Sequence, residues 1–249
     1  RTVRTVRTVR TVRTVRTVKT ARTVGTGEKT MLNYTEENQI VTLSMNDGKA
    51  NAVSHAFVDD MNKALDQAEG SAKAIIIEGM PGKFSAGFDL EEFKKGPEAT
   101  SALVNKGGRM LHRIFTLPQP VIAAVTGHAI AAGAFMLLAA DVRVGVDGQY
   151  KIGANESAIG MTLPRFASEL IEYRVPRHQI DQVAIGAHLY GPNEAVAKGF
   201  IDEVVPAEQL AERTKAIAEQ LAGYPGGGYA GNKHLFRAEY ADRILASLG

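Results

Sequence analysis

The 249-residue sequence contains no cysteine. This absence excludes a disulfide framework, a thiolate zinc site, an iron–sulfur cluster and a cysteine nucleophile. It fits a reducing compartment, and we expect a cytoplasmic protein. Long hydrophobic runs are also absent, because the longest apolar stretch, Ala129 to Ala140, falls well short of the roughly 20 residues of a membrane span. We therefore expect no contact with a membrane.

Net charge is low and unevenly distributed. Residues 1–30 hold nine of the 29 Lys and Arg residues and one of the 27 Asp and Glu residues, so residues 31–249 sum to −6. The isoelectric point near 8.7 therefore reflects the first thirty residues. It predicts no nucleic-acid surface on the rest of the chain.

The N-terminal segment begins with six copies of Arg-Thr-Val, residues 1–18. A period of three matches neither a strand nor a helix, so the segment is not expected to pack as an amphipathic element. It is either a basic arm for phosphate backbones or anionic lipid, or a low-complexity tail without a native role, and we favour the tail. Met31 resembles a natural start, and the working domain is 31–249.

Strand and helix patterns alternate from Met31 onwards. Two alternating runs predict a hairpin, and Ser54 is placed to cap a helix with apolar residues on one face. Buried strands that each end near a glycine then alternate with helices, which indicates an α/β fold with much parallel sheet. The predicted strands are Leu32–Thr35, Gln39–Met45, Ala74–Ile77, Val121–Val125 and Val142–Val146.

The last third of the sequence is predicted to be helical. A short helix opens at Pro192, and longer helices are expected over Ala207–Leu221 and Asn232–Leu248, the last after a loose loop over Gly223–Gly231. No Pro- or Ser-rich linker divides the chain, so we expect one domain with a core over 31–200 and a helical region over 201–249.

Three segments combine small residues with a helix start at a strand end, where open α/β sheets bind ligands. They are 83–90 (KFSAGFDL), 127–135 (GHAIAAGAF) and 150–160 (YKIGANESAIG). In order and spacing they resemble the crotonase superfamily, the enoyl-CoA hydratases and isomerases. The resemblance covers nearly all of 31–249, including 48–52 (GKANA) and the final helix.

That resemblance implies a crotonase-like ββα spiral with a helical C-terminal trimerisation region. It implies an acyl-CoA thioester as substrate, with coenzyme A as part of that substrate and no separate cofactor. A homotrimer or a dimer of trimers is expected, without nucleic acid as a partner.

An enolate formed next to a thioester carbonyl needs donors fixed in advance at the carbonyl oxygen. By resemblance, the N–H groups of Ala86 and Ala132 form this oxyanion hole, and the helix that starts near Gly133 adds positive potential. Close packing of a helix on a sheet would produce the same small residues, and remains the alternative for both alanines.

Glu156 lies in a stretch that resembles the segment carrying the family's catalytic glutamate. Among Ile152, Ala158, Ile159 and Met161 its carboxyl group would be partly desolvated, which raises a pKa towards the range of a general base. The alternative is an exposed loop glutamate.

Phe135 occupies the position at which hydratases have a second glutamate. A hydratase holds water between two carboxylates, whereas an isomerase needs one base that moves a proton from C2 to C4. The resemblance, with Phe135 lining the substrate site, therefore favours a Δ3,Δ2-enoyl-CoA isomerase with Glu156 as its single acid/base.

Coenzyme A contacts are also carried over from the resemblance. They involve the backbone around Lys49, Ala50 and Ala52 and the loop residues Lys83, Phe84, Phe88, Asp89 and Leu90, with Lys83 pairing with a phosphate. Lys233 and Phe236 resemble positions that reach CoA from a neighbouring subunit. Solvated surface lysine is the alternative for Lys83 and Lys233, and helix capping is the alternative for Asp89.

Other functions stay open. A hydratase or another crotonase-type enzyme could recruit Asp89 or Glu91 as its second carboxylate. A non-catalytic CoA-binding or nucleic-acid-binding protein could use the basic arm. The six histidines show neither metal-ligand spacing nor a serine-nucleophile signature, so we predict no metal.

Overall fold

The computed structural model describes the backbone of residues 20–22 and all of residues 30–249. Its strands are β1 (Thr20–Arg22), β2 (Leu32–Glu37), β3 (Ile40–Met45), β4 (Ala74–Glu78), β5 (Gly82–Ser85), β6 (Val121–Val125), β7 (Gly127–Ile130), β8 (Val142–Val146), β9 (Ile152–Gly153) and β10 (Glu203–Val205). Its α-helices are α1 (His55–Glu69), α2 (Leu90–Phe93), α3 (Pro97–Thr116), α4 (Ala132–Ala139), α5 (Arg165–Arg174), α6 (Pro192–Ala197), α7 (Leu210–Ala222) and α8 (Gly228–Ala246).

A seven-stranded sheet in the order β1-β2-β3-β4-β6-β8-β10 forms the framework. Strands β2 and β3 form the predicted antiparallel hairpin, and the strands from β3 to β10 run parallel. Every residue of β6 is buried, because helices cover both faces of the parallel part. The strands predicted within this sheet are confirmed, whereas β10 lies in a region expected to be helical.

A second, smaller sheet consists of β5, β7 and β9, all parallel. These strands have four, four and two residues, too short for a clear alternation of apolar and polar residues. The sequence therefore predicted loops and helix starts here, and gave no sign that the three segments form one sheet.

Helix α1 follows the prediction closely. The Ser54 hydroxyl caps it by accepting a hydrogen bond from the Phe57 N–H group at 3.2 Å. Its buried face consists of Phe57, Val58, Met61, Ala64, Leu65 and Ala68. Helix α4 differs in kind, because all eight of its residues are buried and it crosses the interior of the domain.

Several helix boundaries differ from the prediction. Helix α8 begins at Gly228, so the expected loose loop is shorter than predicted. Helix α3 begins with Pro97, and α5 was not predicted. The start of α8 at Gly228 was not predicted because glycine has low helix propensity, which tertiary packing overrides here.

The N-terminal segment is described only at β1, which pairs antiparallel with β2 with Thr20 opposite Glu36. Pairing at a sheet edge uses backbone groups and needs no apolar face, which is why the period of three does not prevent it. The rest of the Arg-Thr-Val segment lies outside the described residues, together with the predictions of a basic arm or a tail. No helix in the described part of the chain is long and apolar enough to cross a membrane.

Candidate active site

The three segments that the sequence singled out meet at one edge of the small sheet. Ala86 follows β5, Ala131 follows β7 and Asn155 lies just beyond β9. Parallel strands present their carboxyl ends at the same edge, so these loops form one locus. The Ala131 N–H group donates to the Gly153 carbonyl oxygen at 3.0 Å, which ties the second loop to the third.

Two glycines permit the close approach of these loops. A Cβ atom on Gly87 would lie 2.9 Å from the Ala131 Cβ atom, and Gly87 has a φ of +95°. A Cβ atom on Gly133 would lie 2.4 Å from the Ser85 carbonyl oxygen. Neither position can take a side chain without separating the loops.

Helix α4 begins directly at this locus. Ala131 has a φ of +52°, an uncommon conformation for alanine, and turns the chain from β7 into the helix. Among the described residues, the Ala132 N–H group has no acceptor. It adds to the positive end of the α4 dipole and is available to an oxygen ligand.

The Ala86 amide does not fit the role predicted for it, because its N–H group donates to the Ala50 carbonyl oxygen at 3.0 Å. The Phe88 amide fits better. Val53 pairs in parallel with Phe88 by bonding to the Gly87 carbonyl oxygen and the Asp89 N–H group on either side of it. The Phe88 N–H group therefore faces away from Val53, and it has no acceptor in the described part of the chain.

Glu156 is buried, with 5% of its surface exposed. Its Oε2 atom has no hydrogen-bond partner among the described residues. Desolvation by burial raises the pKa of this carboxyl group to about 7, although the backbone amides of Glu156 and Asn155 oppose the shift. A carboxyl group with this pKa can both accept and return a proton near neutral pH.

A cavity of about 130 Å³ joins these groups. Glu156 is the only ionisable side chain in its lining, and Asn155 is the only other polar one. The Asn155 Oδ1 atom is likewise buried without a partner in the described residues. The full lining is Ala86, Phe88, Leu90, Phe93, Val104, Ile130, Ala131, Asn155, Glu156, Ile159, Met161 and Pro164.

Comparison with known proteins places the chain in a family. The family model described as enoyl-CoA hydratase/isomerase matches residues 35–247. The chain belongs to the enoyl-CoA hydratase/isomerase family. Its fold is the crotonase fold, with a TM-score of 0.85 to the structure of a family protein from Pseudomonas syringae that is 37% identical, covering 88% of this chain and 95% of that one.

Named relatives within the enoyl-CoA hydratase/isomerase family divide between two activities. A probable enoyl-CoA hydratase from Bacillus subtilis is 31% identical over 193 residues, which are 74% of this chain and 72% of that protein. A structure from Mycobacterium tuberculosis described as an enoyl-CoA isomerase is 35% identical with a TM-score of 0.84, covering 88% of this chain and 96% of that one. A second structure of the same protein, 36% identical over 88% of this chain and 93% of that one, is described as a probable enoyl-CoA hydratase. Family membership alone therefore does not choose between hydration and isomerisation.

Phe135 and Phe84 are fully buried and do not line the cavity. The Phe135 ring packs edge-to-face on Phe166 with ring centroids 6.3 Å apart. The prediction that these two side chains contact substrate is not supported. Phe135 instead adds hydrocarbon to the core beside Phe166.

The carboxylates considered as a second acid also lie outside the cavity. Asp89 caps α2 by accepting a hydrogen bond from the Glu91 N–H group at 3.0 Å, as its capping alternative proposed. Glu91 is exposed and pairs with Lys94 at 2.6 Å. The lysine pairing lowers the pKa of Glu91, so this group is a poor proton donor at neutral pH.

The conformation of the predicted CoA-binding loop is fixed by Asn51, which was not among the predicted site residues. Asn51 is fully buried with a φ of +53°, and its side-chain amide donates to the Phe84 carbonyl oxygen at 3.0 Å. Asparagine tolerates this left-handed conformation better than most residues, which is the signal that could have identified it. Lys83 Nζ donates to the Lys49 carbonyl oxygen at 2.8 Å and remains exposed, so its phosphate contact stays a prediction.

Two of the backbone groups expected to contact CoA already form hydrogen bonds within the chain. The Ala50 carbonyl oxygen accepts from Ala86, and the Ala52 N–H group donates to Asp47 at 3.1 Å. Phe88 and Leu90 line the cavity, and their contact with CoA stays a prediction.

Lys233 is placed inside its own chain rather than towards a neighbour. Its Nζ atom donates to Asp141 at 2.7 Å and to the Gln119 carbonyl oxygen at 3.1 Å. Burial lowers the pKa of Lys233 to about 8, against the opposing effect of Asp141. The predicted CoA contact of Lys233 is therefore not supported, whereas Phe236 is 71% exposed and its contact stays a prediction.

Proposed function

We propose that this chain is a Δ3,Δ2-enoyl-CoA isomerase in which Glu156 is the only acid/base. The observation that carries the proposal is the lone ionisable group in the cavity. Hydration needs a second group that can activate or protonate, and the cavity lining offers only the Asn155 amide besides Glu156. Isomerisation needs one base in a dry apolar pocket.

The oxyanion hole is the second part of the proposal. The thioester oxygen of the substrate accepts hydrogen bonds from the Phe88 and Ala132 N–H groups, which have no acceptor among the described residues. Negative charge develops on this oxygen as the dienolate forms, and the N-terminus of α4 stabilises it. The two amides lie on adjacent loops held together at Gly87 and Ala131.

Proton transfer then proceeds in two steps. The ionised Glu156 removes a proton from C2 of the 3-enoyl thioester, and the electrons of that C–H bond move into the dienolate. The protonated carboxyl group next delivers the proton to C4, and the double bond comes to rest between C2 and C3. Glu156 returns to its ionised form, so the cycle requires no cofactor.

Separate assays with 3-hexenoyl-CoA and 2-hexenoyl-CoA test this function. We expect conversion of the first compound to the conjugated 2-enoyl product and little addition of water to the second. Product identity is measured by chromatography with mass detection, since hydration adds the mass of one water molecule. Efficient formation of 3-hydroxyhexanoyl-CoA would contradict the proposal and favour a hydratase.

We also propose that the enzyme assembles as a homotrimer, or as a dimer of trimers, through the C-terminal helical region. Support comes from large apolar side chains that α8 leaves in solvent, Leu235 at 72% exposure and Phe236 at 71%. Light scattering coupled to size exclusion measures the mass. A monomer at micromolar concentration would contradict the assembly.

A further inference from the structure

The apolar walls of the active-site cavity carry information about the acyl chain that fits it. Leu90 and Ile159 are large apolar lining residues that are exposed, at 58% and 51%, and they mark its mouth. Phe88, Phe93 and Val104 form walls that are half-buried. Chain length is therefore controlled by side chains from α2, α3 and the loop before α2.

The Phe88 and Phe93 rings form a pair, with centroids 6.0 Å apart and planes inclined by 35°. The Phe88 ring lies against α3 at Gly107, where a Cβ atom would be only 2.4 Å from Phe88 Cε1. The absence of a side chain at Gly107 lets the Phe88 ring sit against the helix. Phe93 then lies beside the Phe88 ring in the cavity wall.

Helix α2, which ends at Phe93, is held at both ends. Asp89 caps its start, and the Asp89 N–H group donates to the Val53 carbonyl oxygen at 3.1 Å. Glu92 faces His55 of α1 at 3.5 Å and Lys95 at 2.5 Å. The Phe93 ring is therefore a fixed part of the wall, because the short helix that carries it is anchored to its neighbours.

We propose that Phe93, paired with Phe88, is a specificity-determining residue that restricts this enzyme to short acyl chains of about four to six carbons. An apolar cavity of roughly 150 Å³ can hold benzene, a ligand of six carbon atoms, so the cavity of about 130 Å³ has room for about that many carbon atoms at most. Atoms C1 to C4, which react, already use this space. The inference rests on the proposed acyl-CoA isomerase function.

Calorimetric titration with saturated acyl-CoAs tests chain length without turnover. For the unmodified enzyme we expect Kd to fall from butyryl-CoA to hexanoyl-CoA by about fourfold per buried methylene group. Dodecanoyl-CoA is expected to bind at least tenfold more weakly than hexanoyl-CoA. Phe93→Ala should tighten dodecanoyl-CoA at least tenfold and weaken butyryl-CoA severalfold, reversing the preference.

A purely structural role of Phe93 would weaken all chain lengths alike and would overturn the proposal. Phe93→Leu, which keeps an apolar side chain, is the second variant if the alanine variant does not fold, and should give an intermediate shift towards longer chains. Val196→Ala, on exposed α6, is the matched control and should leave the chain-length profile unchanged.

The two proposals fail in different ways. Tight dodecanoyl-CoA binding by the unmodified enzyme overturns the chain-length inference and leaves the isomerase function standing. Absence of binding by every acyl-CoA, with no turnover of 3-hexenoyl-CoA, overturns the proposed function itself.

Discussion

Two buried carboxylates in this molecule have opposite surroundings. The Asp141 side chain is 6% exposed and accepts from Lys233 at 2.7 Å and Arg237 at 2.8 Å. Glu156 is similarly buried, yet it has no cation beside it and one oxygen atom without a partner in the described residues. The Asp141 carboxylate is fully paired, whereas the Glu156 carboxyl group keeps one oxygen atom free for a ligand.

The difference shows that the fold uses one buried carboxylate, Asp141, for stability and leaves the other, Glu156, available for the proposed chemistry. Asp141 lies just past the C-terminal end of α4, where Arg237 Nη1 also donates to the Ala139 carbonyl oxygen at 3.4 Å. Cations at this end complement the helix dipole. The N-terminal end of the same helix has no side-chain cap, and the Ala132 N–H group there has no acceptor among the described residues. A single helix thus has a neutralised end and an end that is open to a ligand.

The largest effect is expected for Glu156→Gln. Loss of the proposed base should reduce kcat for 3-enoyl-CoA by about 10³-fold or more, within the range of general acid–base catalysis, and leave the Kd of saturated acyl-CoA nearly unchanged. Glu172→Gln, at an exposed position on α5, is the matched control. A loss of less than tenfold would mean that another group is the base.

Asp141→Ala should give the opposite result, with stability lost rather than chemistry. The substitution leaves Lys233 and Arg237 buried without their counter-charge, which typically costs about 3–5 kcal/mol of the free energy of unfolding. Urea denaturation measures it, with the exposed Asp181→Ala as control. Should Asp141→Ala cost less than about 1 kcal/mol, the buried pairs would not stabilise the fold.

The pH dependence of stability distinguishes the two carboxylates further. The native pKa of Glu156, about 7, exceeds its usual value of 4.5, so the native state favours the protonated form. Stability from this group is fully present below pH 4.5, is lost as pH rises through 7, and the loss amounts to about 3 kcal/mol. Glu156→Gln should lack this loss, so the stability difference between variant and unmodified protein should grow from pH 5 to pH 8.

Activity should follow the reverse course, since kcat/KM requires the ionised base in the free enzyme and should rise about tenfold per pH unit below 7. An activity profile that is flat between pH 5 and 7 would be inconsistent with Glu156 as the base.

The smallest effect is expected at a third buried carboxylate, Glu169, which pairs with Arg165 at 2.5 Å and Arg243 at 2.7 Å. Arg165→Ala should cost no more than about 1 kcal/mol, because Arg165 is largely exposed and Arg243 remains. Thermal unfolding of the two single variants, Arg165→Ala and Arg243→Ala, measures whether the one remaining cation is enough to stabilise the buried Glu169 carboxylate. A loss of several kcal/mol in the free energy of unfolding from Arg165→Ala alone would mean that Glu169, like Asp141, depends on each of its cations.

The sequence predicted the framework well where elements are long and periodic. The hairpin, α1 with its Ser54 cap, and strands β4, β6 and β8 were all found from alternation and helical spacing. The burial of Glu156 was expected from its apolar neighbours and is confirmed, although Ala158 and Ile159 are exposed.

What the sequence could not show depends on contacts between distant segments. The resemblance assigned the oxyanion-hole N–H group to Ala86 and gave Phe88 no such role. Only the pairing of Ala86 with Ala50, and of Phe88 with Val53, shows which amide is available. Lys233 was likewise predicted to contact CoA, with a surface lysine as the alternative, and only its partner Asp141, 92 residues earlier, shows where the side chain lies.

The small sheet also has a consequence for how the protein acquires activity. Its pairs join Lys83 to His128 and Ala129 to Ile152, residues far apart along the chain. Contacts between residues far apart in the sequence are expected to form late, because the entropy cost of closing the loop comes before the contact energy is gained. A nascent chain that has not yet reached Glu156 therefore lacks the proposed base, and we expect activity only after the third loop has docked.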